Sequence, residues 1–470
     1  MVKDTIVALA TPSGAGAIAV IRVSGQNAVN IVAALFRSVK GKDLKKQKTH
    51  TLHLGHIVDG QRTLDEVLVA IFLGNKSYTG EPTVEISCHG STYIQQEIIQ
   101  LLLRNGCRMA NAGEFTLRAF LNGKMDLSQA EAVADLIASD TEASHQVAMQ
   151  QMRGGFSNEI KHLRDELLNF ASLIELELDF SEEDVEFANR EQFEALLKRI
   201  ENVLKKLIDS FAVGNVLKNG IPVAIVGEPN VGKSTLLNAL LNEDRAIVSD
   251  IAGTTRDTIE DEISIGGIGF RFIDTAGIRD TQDVVETIGI KKTFEKIDQA
   301  QVVILLLNTE NFTEYRSKLQ KEVEDIHHKH PLKPLVIIAN KIDRLTPEER
   351  LTIESFLGEL VDERNKFHYL LLSAKTGEGV EALQNKLLDL VNTGALRNNE
   401  TIVTNSRHYD ALLKALEEIQ KVQQGMELGI SGDLLAIDIR QALFHFGEIT
   451  GEITTDDLLG NIFANFCIGK

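Results

Sequence analysis

The sequence predicts a multidomain α/β protein, and three changes of pattern along its 470 residues carry that reading. Residues 1–120 mix short β-rich runs with Gly-marked turns. From about Leu127 apolar residues recur at spacings of three or four. From about residue 221 continuous aliphatic runs alternate with helical segments. At roughly 150 residues per domain, the length is a prior of about three domains.

In the first segment Thr5–Ala10, Ala17–Val23, Glu66–Leu73 and Thr83–Ser87 read as strands of an α+β domain. Leu127, Ala130, Ala134 and Ile137, then Leu163, Leu167, Phe170, Ile174 and Leu178, set helical stripes within 121–219. Over 220–390 the runs Val223–Val226, Arg271–Ile273, Val302–Leu307, Leu335–Ala339 and Tyr369–Leu372 alternate with helices, the pattern of a parallel sheet covered on both faces. Helical spacing returns in 391–470, with Leu412, Leu416 and Ile419, then Leu458, Leu459, Ile462 and Phe463. Two arrangements fit: four domains in line, or an α/β domain inserted into one discontinuous all-α domain made of 121–219 and 391–470.

Composition narrows the classes. Apolar residues at 43% and charged residues at 25% are the balance of a globular protein. Cys88, Cys107 and Cys467 form no CxxC pair, so a disulfide framework and a structural zinc site are both disfavoured. The aliphatic run Val302–Leu307 falls far short of the ~20 residues that cross a bilayer, and Asp4 stands where a basic export region would begin. A cytoplasmic protein with no membrane partner is expected. Residues 1–120 carry 13 basic and 9 acidic side chains, a net +4, while 121–219, 220–390 and 391–470 carry −9, −9 and −5. Phosphate contacts supply most non-specific nucleic-acid affinity. So acidic a chain is a poor RNA binder by itself; only its first 120 residues could offer a basic face, and a partner would hold much of any RNA.

Gly227-Glu228-Pro229-Asn230-Val231-Gly232-Lys233-Ser234 fits GxxxxGK[ST] between the run Val223–Val226 and a helix beginning near Thr235. Glycines let backbone N–H groups curl round a β-phosphate, and the helix N-terminus favours anions. Lys233 would reach the β- and γ-phosphates and Ser234 would ligate Mg²⁺. Asp274-Thr275-Ala276-Gly277 follows a strand; Asp274 can reach Mg²⁺ through water and the Gly277 N–H can face the γ-phosphate. Asn340-Lys341-Ile342-Asp343 follows another, and the Asp343 carboxylate can accept both N1–H and N2–H of guanine, a donor pair adenine lacks. Ser373-Ala374-Lys375 then supplies a backbone contact to the base. Four motifs in this order make 220–390 a GTP-binding domain. Between the first two lies Gly253-Thr254-Thr255-Arg256-Asp257, where one threonine would complete the Mg²⁺ shell only beside a γ-phosphate. Thr255 is the first choice and Thr254 the alternative. Ile278 occupies the position where small signalling GTPases carry a water-orienting Gln, so another group must serve; Glu286 is the candidate.

At these residues the sequence resembles the MnmE (TrmE) family of tRNA-modification GTPases, and the resemblance runs the whole length. It includes Asp4-Thr5-Ile6-Val7-Ala8, Ile21-Arg22-Val23-Ser24-Gly25, Ser77-Tyr78-Thr79-Gly80-Glu81, Ala112-Gly113-Glu114-Phe115-Thr116, Lys124 through Ala132, and the terminal Cys467-Ile468-Gly469-Lys470. Pro82 and Ser91 are minor departures. The family implies an N-terminal α+β domain that dimerises and binds a reduced folate (5-formyl- or methylene-tetrahydrofolate), a discontinuous helical domain, and an inserted Ras-like GTPase domain. It implies folate contacts at Arg22, Glu81, Lys124 and Lys470. It further implies that a K⁺ ion held by Asn230, Ser249, Ile251 and Thr254 assists hydrolysis where two G domains meet, with Glu286 orienting the water. The implied reaction adds an aminomethyl-type group to C5 of the tRNA wobble uridine, with the homodimer joined to an FAD-dependent MnmG-type (GidA) protein in a heterotetramer. Cys467 reads either as a thiol nucleophile or as an inert small residue. A ribosome-assembly GTPase is the alternative function; such switches commonly append a basic RNA module, whereas 391–470 is acidic.

Overall fold

The computed structural model describes residues 4–179, 189–244, 260–273, 296–331, 333–360, 367–391, 401–464, 466 and 469. The chain divides into two compact units. Met1–Ala138, Met149–Lys205 and Asp410–Lys470 form the first; Ser139–Ala148 and Lys206–Tyr409 form the second.

Seven strands of the first unit make one sheet: β1 (Thr5–Leu9), β2 (Ile18–Ser24), β3 (Phe36–Ser38), β4 (Thr51–Asp59), β5 (Arg62–Phe72), β6 (Thr83–His89) and β7 (Cys107–Met109). Their order is β3-β4-β5-β6-β2-β1-β7, antiparallel except between β1 and β7. Period-two alternation gives the sheet one buried face. Ala19, Ile21 and Val23 of β2 pack with Val67, Val69 and Ile71 of β5 and with Ile98 and Leu101 of the helix Thr92–Arg104.

Beyond the sheet the unit is helical. Asp126 starts the helix Leu127–Ile137 with a reciprocal cap: its side chain accepts from Gln129 N at 2.9 Å, and Gln129 Oε1 accepts from Asp126 N at 3.0 Å. Such caps contribute about 1 kcal/mol. The helix Gly155–Asp179 packs along Gly432–Thr450, and Leu127 and Ala130 share a cluster with Leu459, Phe463 and Phe466. C-terminal helices thus complete a core begun far earlier in the chain.

In the second unit the strands are β8 (Ile221–Val226), β9 (Glu260–Ile265), β10 (Ile268–Ile273), β11 (Val302–Asn308), β12 (Leu335–Asn340) and β13 (Phe367–Leu372), in the order β13-β12-β11-β8-β10-β9. Five run parallel, as the aliphatic runs within β8, β11 and β12 and their alternation with helices predict. The edge strand β9 departs from an all-parallel sheet by pairing antiparallel with β10. Gly266 and Gly267 at φ +57° and +80° join the two in a two-residue hairpin, which needs left-handed backbone at both central positions.

Candidate functional site

The parallel strands carry the first site at their C-terminal ends. Gly227 follows β8 at φ +156°, and a Cβ there would lie 2.4 Å from Leu306 O. At Gly232 (φ +103°) a Cβ would lie 2.3 Å from the Asn340 amide. The loop 227–232 therefore closes into a backbone cradle that side chains would fill. The helix Lys233–Asp244 begins at its end, directing its first N–H groups toward the cradle. Lys233 Nζ donates to Gly227 O at 2.7 Å, bending back over the loop. Ser234 and Thr235 are exposed on the first helical turn. Asn230 is exposed with φ +63°, a conformation Asn tolerates better than most residues.

Asn340 ties three motifs together. Its side chain is buried; Nδ2 donates to Val231 O at 2.8 Å, and Oδ1 accepts from Ala374 N at 3.0 Å and Lys341 N at 2.8 Å. Thr309, also buried, donates to Asn340 O at 2.8 Å from the end of β11. Ser373 donates to Asp343 Oδ1 at 2.6 Å, and this bond holds the Asp343 carboxyl below the usual range. Asp343 is thus ionised at neutral pH, as an acceptor of two N–H groups must be. Lys341, at φ +70°, reaches Glu310 at 3.2 Å, and Lys375 is exposed. Arg344 also bonds Glu310, whose carboxyl is pulled down to about 2 by Arg344 first, then Lys341 and Asn308. Ser249, Ile251, Thr254, Thr255, Asp274, Thr275, Ala276, Gly277 and Glu286 lie outside the described residues; β10 ends at Ile273, the residue before Asp274.

A second cluster lies in the first unit. Arg22 on β2 donates to Glu85 at 2.9 Å and to Gly469 O at 3.3 Å, and its guanidinium lies 5.6 Å and 5.7 Å from the Tyr78 and Phe115 ring centres. Glu81 accepts from Arg118 at 3.1 Å and from Ser24 Oγ at 3.2 Å. Lys124 donates to Asn75 O at 2.8 Å, and a Cβ on Gly80 would meet its Cγ at 3.4 Å. The structure thus gathers Arg22, Glu81 and Lys124 around the segment 75–81; Cys467 and Lys470 lie outside the described residues. Cys88 and Cys107 are buried, and burial pushes both thiols to about 11, so they are protonated at neutral pH.

Arg118 passes unnoticed in the sequence yet sits at the centre of this cluster. Its side chain is 2% exposed and donates to Asp4 O and Oδ1, Glu81 and Glu114 at 2.8–3.1 Å. Arg108 bonds Glu114 at 2.6 Å and Asp4 at 2.6 Å. Burial alone would raise the Glu114 carboxyl; Arg108, the Asn111 N–H and Arg118 outweigh it and hold it low. The local signal was the Glu114/Arg118 pair at i,i+4 inside an apolar helix.

A family model described as the MnmE helical domain matches residues 127–467, and one described as the GTP-binding protein TrmE N-terminus matches residues 5–124. The chain belongs to the MnmE family. The tRNA modification GTPase MnmE of Christiangramia forsetii is 73% identical over 471 residues, covering 100% of this chain and 99% of its own. That of Flavobacterium johnsoniae is 74% identical over 468 residues, with the same coverage. Among solved structures, a point variant of Aquifex aeolicus Era bound to GDP.AlF4- is 28% identical over 42% of this chain and 66% of its own, with a TM-score of 0.28. This MnmE-family chain is a GTP-hydrolysing enzyme of tRNA modification, and its fold is the multidomain α/β arrangement with a P-loop GTPase domain. No helix among its described residues is long and apolar enough to cross a membrane.

Proposed function

We propose that this protein hydrolyses GTP to support addition of an aminomethyl-type group at C5 of the wobble uridine in certain tRNAs. It would act as a cytoplasmic homodimer with an FAD-dependent MnmG-type partner and a reduced folate. The observation that carries the nucleotide part is the Asn340 side chain, which joins Val231 in the phosphate loop to Ala374 beside the base-reading carboxylate Asp343. The closed glycine cradle and the ionised Asp343 suit a guanine nucleotide. Val231, Gly232, Lys233, Ser234 and Thr235 would hold its phosphates, with Thr275, Ala276 and Gly277. Asn340, Lys341, Asp343, Ser373, Ala374 and Lys375 would hold its base.

Mg²⁺, bound through Ser234 and Thr255 with Asp274 reached through water, would neutralise phosphate charge. K⁺ would place a fixed positive charge beside the β- and γ-phosphates, stabilising charge that develops in the transition state. Asn230, exposed and left-handed, is free to contribute an oxygen to it, with Ser249, Ile251 and Thr254. Glu286 would orient the attacking water in place of the Gln that Ile278 lacks.

For the folate, which carries the one-carbon unit, Arg22 offers a cation flanked by aromatic rings, Glu81 a carboxylate for pterin N–H groups, and Lys124 and Lys470 cations for a glutamyl tail. Full wobble-uridine modification in cells carrying Cys467→Ser would remove the thiol-nucleophile reading of Cys467, and its loss would support that reading. The open face of the first sheet supports dimerisation there: Ile18, Leu52, Leu54 and Leu68 are 67, 61, 46 and 40% exposed, an apolar stripe of the kind that marks interfaces. We take residues 1–120, 121–219 with 391–470, and 220–390 as the working domains.

Deleting the gene and measuring wobble nucleosides alongside ribosome profiles tests the reading. Loss of the modified uridine with normal subunits supports it. Normal nucleosides with defective subunits would replace it with a ribosome-assembly switch.

A further inference from the structure

We propose that the segment Arg37–Lys48, at the β3 edge of the N-terminal sheet, is a docking surface for the phosphate backbone of tRNA; this rests on the function proposed above. Arg37, Lys40, Lys42, Lys45, Lys46 and Lys48 place six cations in twelve residues against one acid, Asp43, in a chain of net charge −19. All six are exposed, and none is paired with a carboxylate among the described residues. Elsewhere in the same unit several surface cations have a carboxylate partner, Arg62 with Glu97 at 3.0 Å, Arg104 with Asp59 at 3.0 Å and Lys161 with Asp126 at 3.2 Å. Lys124, among the described residues, donates only to Asn75 O; what sets Arg37–Lys48 apart is six such cations in twelve residues. Asp43 is already engaged, accepting from Lys45 N at 2.9 Å as a helix cap.

The base of the segment is fixed. Leu44 is 3% exposed and packs into the sheet core. Gly41 N bonds Ser38 O at 3.1 Å, Gln47 Nε2 bonds Asp43 O at 2.7 Å, and Thr51 Oγ1 bonds Lys48 O at 2.6 Å. Six like charges on a fixed base repel one another, and a polyanion relieves that repulsion while releasing its own counterions. Backbone contacts of this kind position a nucleic acid without reading its sequence, as a protein serving several tRNAs requires. β2, which carries Arg22, lies four strand steps away in the sheet order, roughly 19 Å at ~4.8 Å per step. Phosphates held at Arg37–Lys48 would then belong to nucleotides some way from the base acted on. An anionic membrane is the competing partner. The segment favours RNA because it is a strand end, a turn and a short 3-10 helix with a lone exposed apolar residue, Val39, and no amphipathic helix to insert.

The test is tRNA binding by the full-length chain across 50–300 mM KCl, for wild type and for a variant combining Lys40→Gln, Lys42→Gln, Lys45→Gln and Lys46→Gln. The slope of log K against log[salt] should become shallower by about 3, at 0.7–0.9 per lost contact, with affinity at 100 mM falling at least ~10-fold. GTP turnover should stay at the wild-type level, which certifies folding, and the matching set of Lys→Arg changes should restore binding. Equal slopes and affinities for wild type and the Gln variant overturn the proposal. So does tRNA binding that ignores these lysines while they govern capture by phosphatidylserine vesicles. A wild-type protein that neither binds tRNA nor restores wobble nucleosides in the deletion strain sinks the functional reading instead.

Discussion

Replacing Arg118 with Met withdraws a buried guanidinium from Asp4, Glu81 and Glu114. The volume is largely kept, so the loss is electrostatic. Removing one partner of a buried ion pair costs about 3–5 kcal/mol, because a desolvated charge is left behind. Here Asp4 is 38% exposed, and Arg108 remains on both Asp4 and Glu114. These compensations put the cost at the lower end, ~3 kcal/mol, or roughly a 150-fold shift in the unfolding equilibrium. A unit of this size loses about 2–4 °C of Tm per kcal/mol, so a drop on the order of 10 °C is expected. Calorimetry of the full chain with saturating GDP separates the transitions, since nucleotide stabilises the unit that binds it. Arg118→Lys should fall between the two, keeping charge but losing the planar fork. A Tm for Arg118→Met within ~1 °C of wild type would refute the reasoning.

Acid should destabilise the same unit. Glu114 and Asp4 are held below their ordinary values in the folded chain, so their stabilisation is complete above the unfolded values and is lost as pH falls through the folded ones; a Tm series from pH 6 to 3 should fall more steeply for wild type than for Arg118→Met. Asp343→Asn should weaken GTP binding by ~100-fold or more, through loss of two charge-assisted hydrogen bonds, while binding of the xanthosine nucleotide improves; isothermal titration with both reads this directly. Asn230→Ala should abolish acceleration by K⁺ while leaving nucleotide affinity within a few-fold, at a cost of ~1 kcal/mol for a non-Asn residue at φ +63°; stopped-flow turnover and titration separate the two effects.

Strands buried on both faces were legible because they carry unbroken aliphatic runs: Val223–Val226 of β8, Val302–Leu307 of β11 and Leu335–Ala339 of β12 need no neighbours to be read. The strand β4 was not, because its pattern is inverted. Leu52 and Leu54 face outward while His53 is 6% exposed and Gly55 lies under the Phe36 ring, so a search for apolar-in, polar-out alternation misses it. The strand β9 begins Glu260-Asp261-Glu262 and reads as a charged loop until its pairing with β10 is seen. The phosphate loop was legible because its chemistry is contiguous. The reach of Asn340 to Val231 and Ala374, and the gathering of Asp4, Glu81 and Glu114 on Arg118, depend on contacts that only the fold creates; a single sequence shows the residues and not their meeting.

GTP turnover by the purified chain, in buffers differing only in K⁺ or Na⁺ and at several protein concentrations, tests the proposed hydrolytic role most directly. Turnover well above ~10⁻⁴ s⁻¹, the unaided rate of a small GTPase, in K⁺ alone and rising with protein concentration is the expected result. Equal slow rates in both salts at every concentration would contradict cation-assisted pairing of G domains and assign activation of hydrolysis to a separate protein.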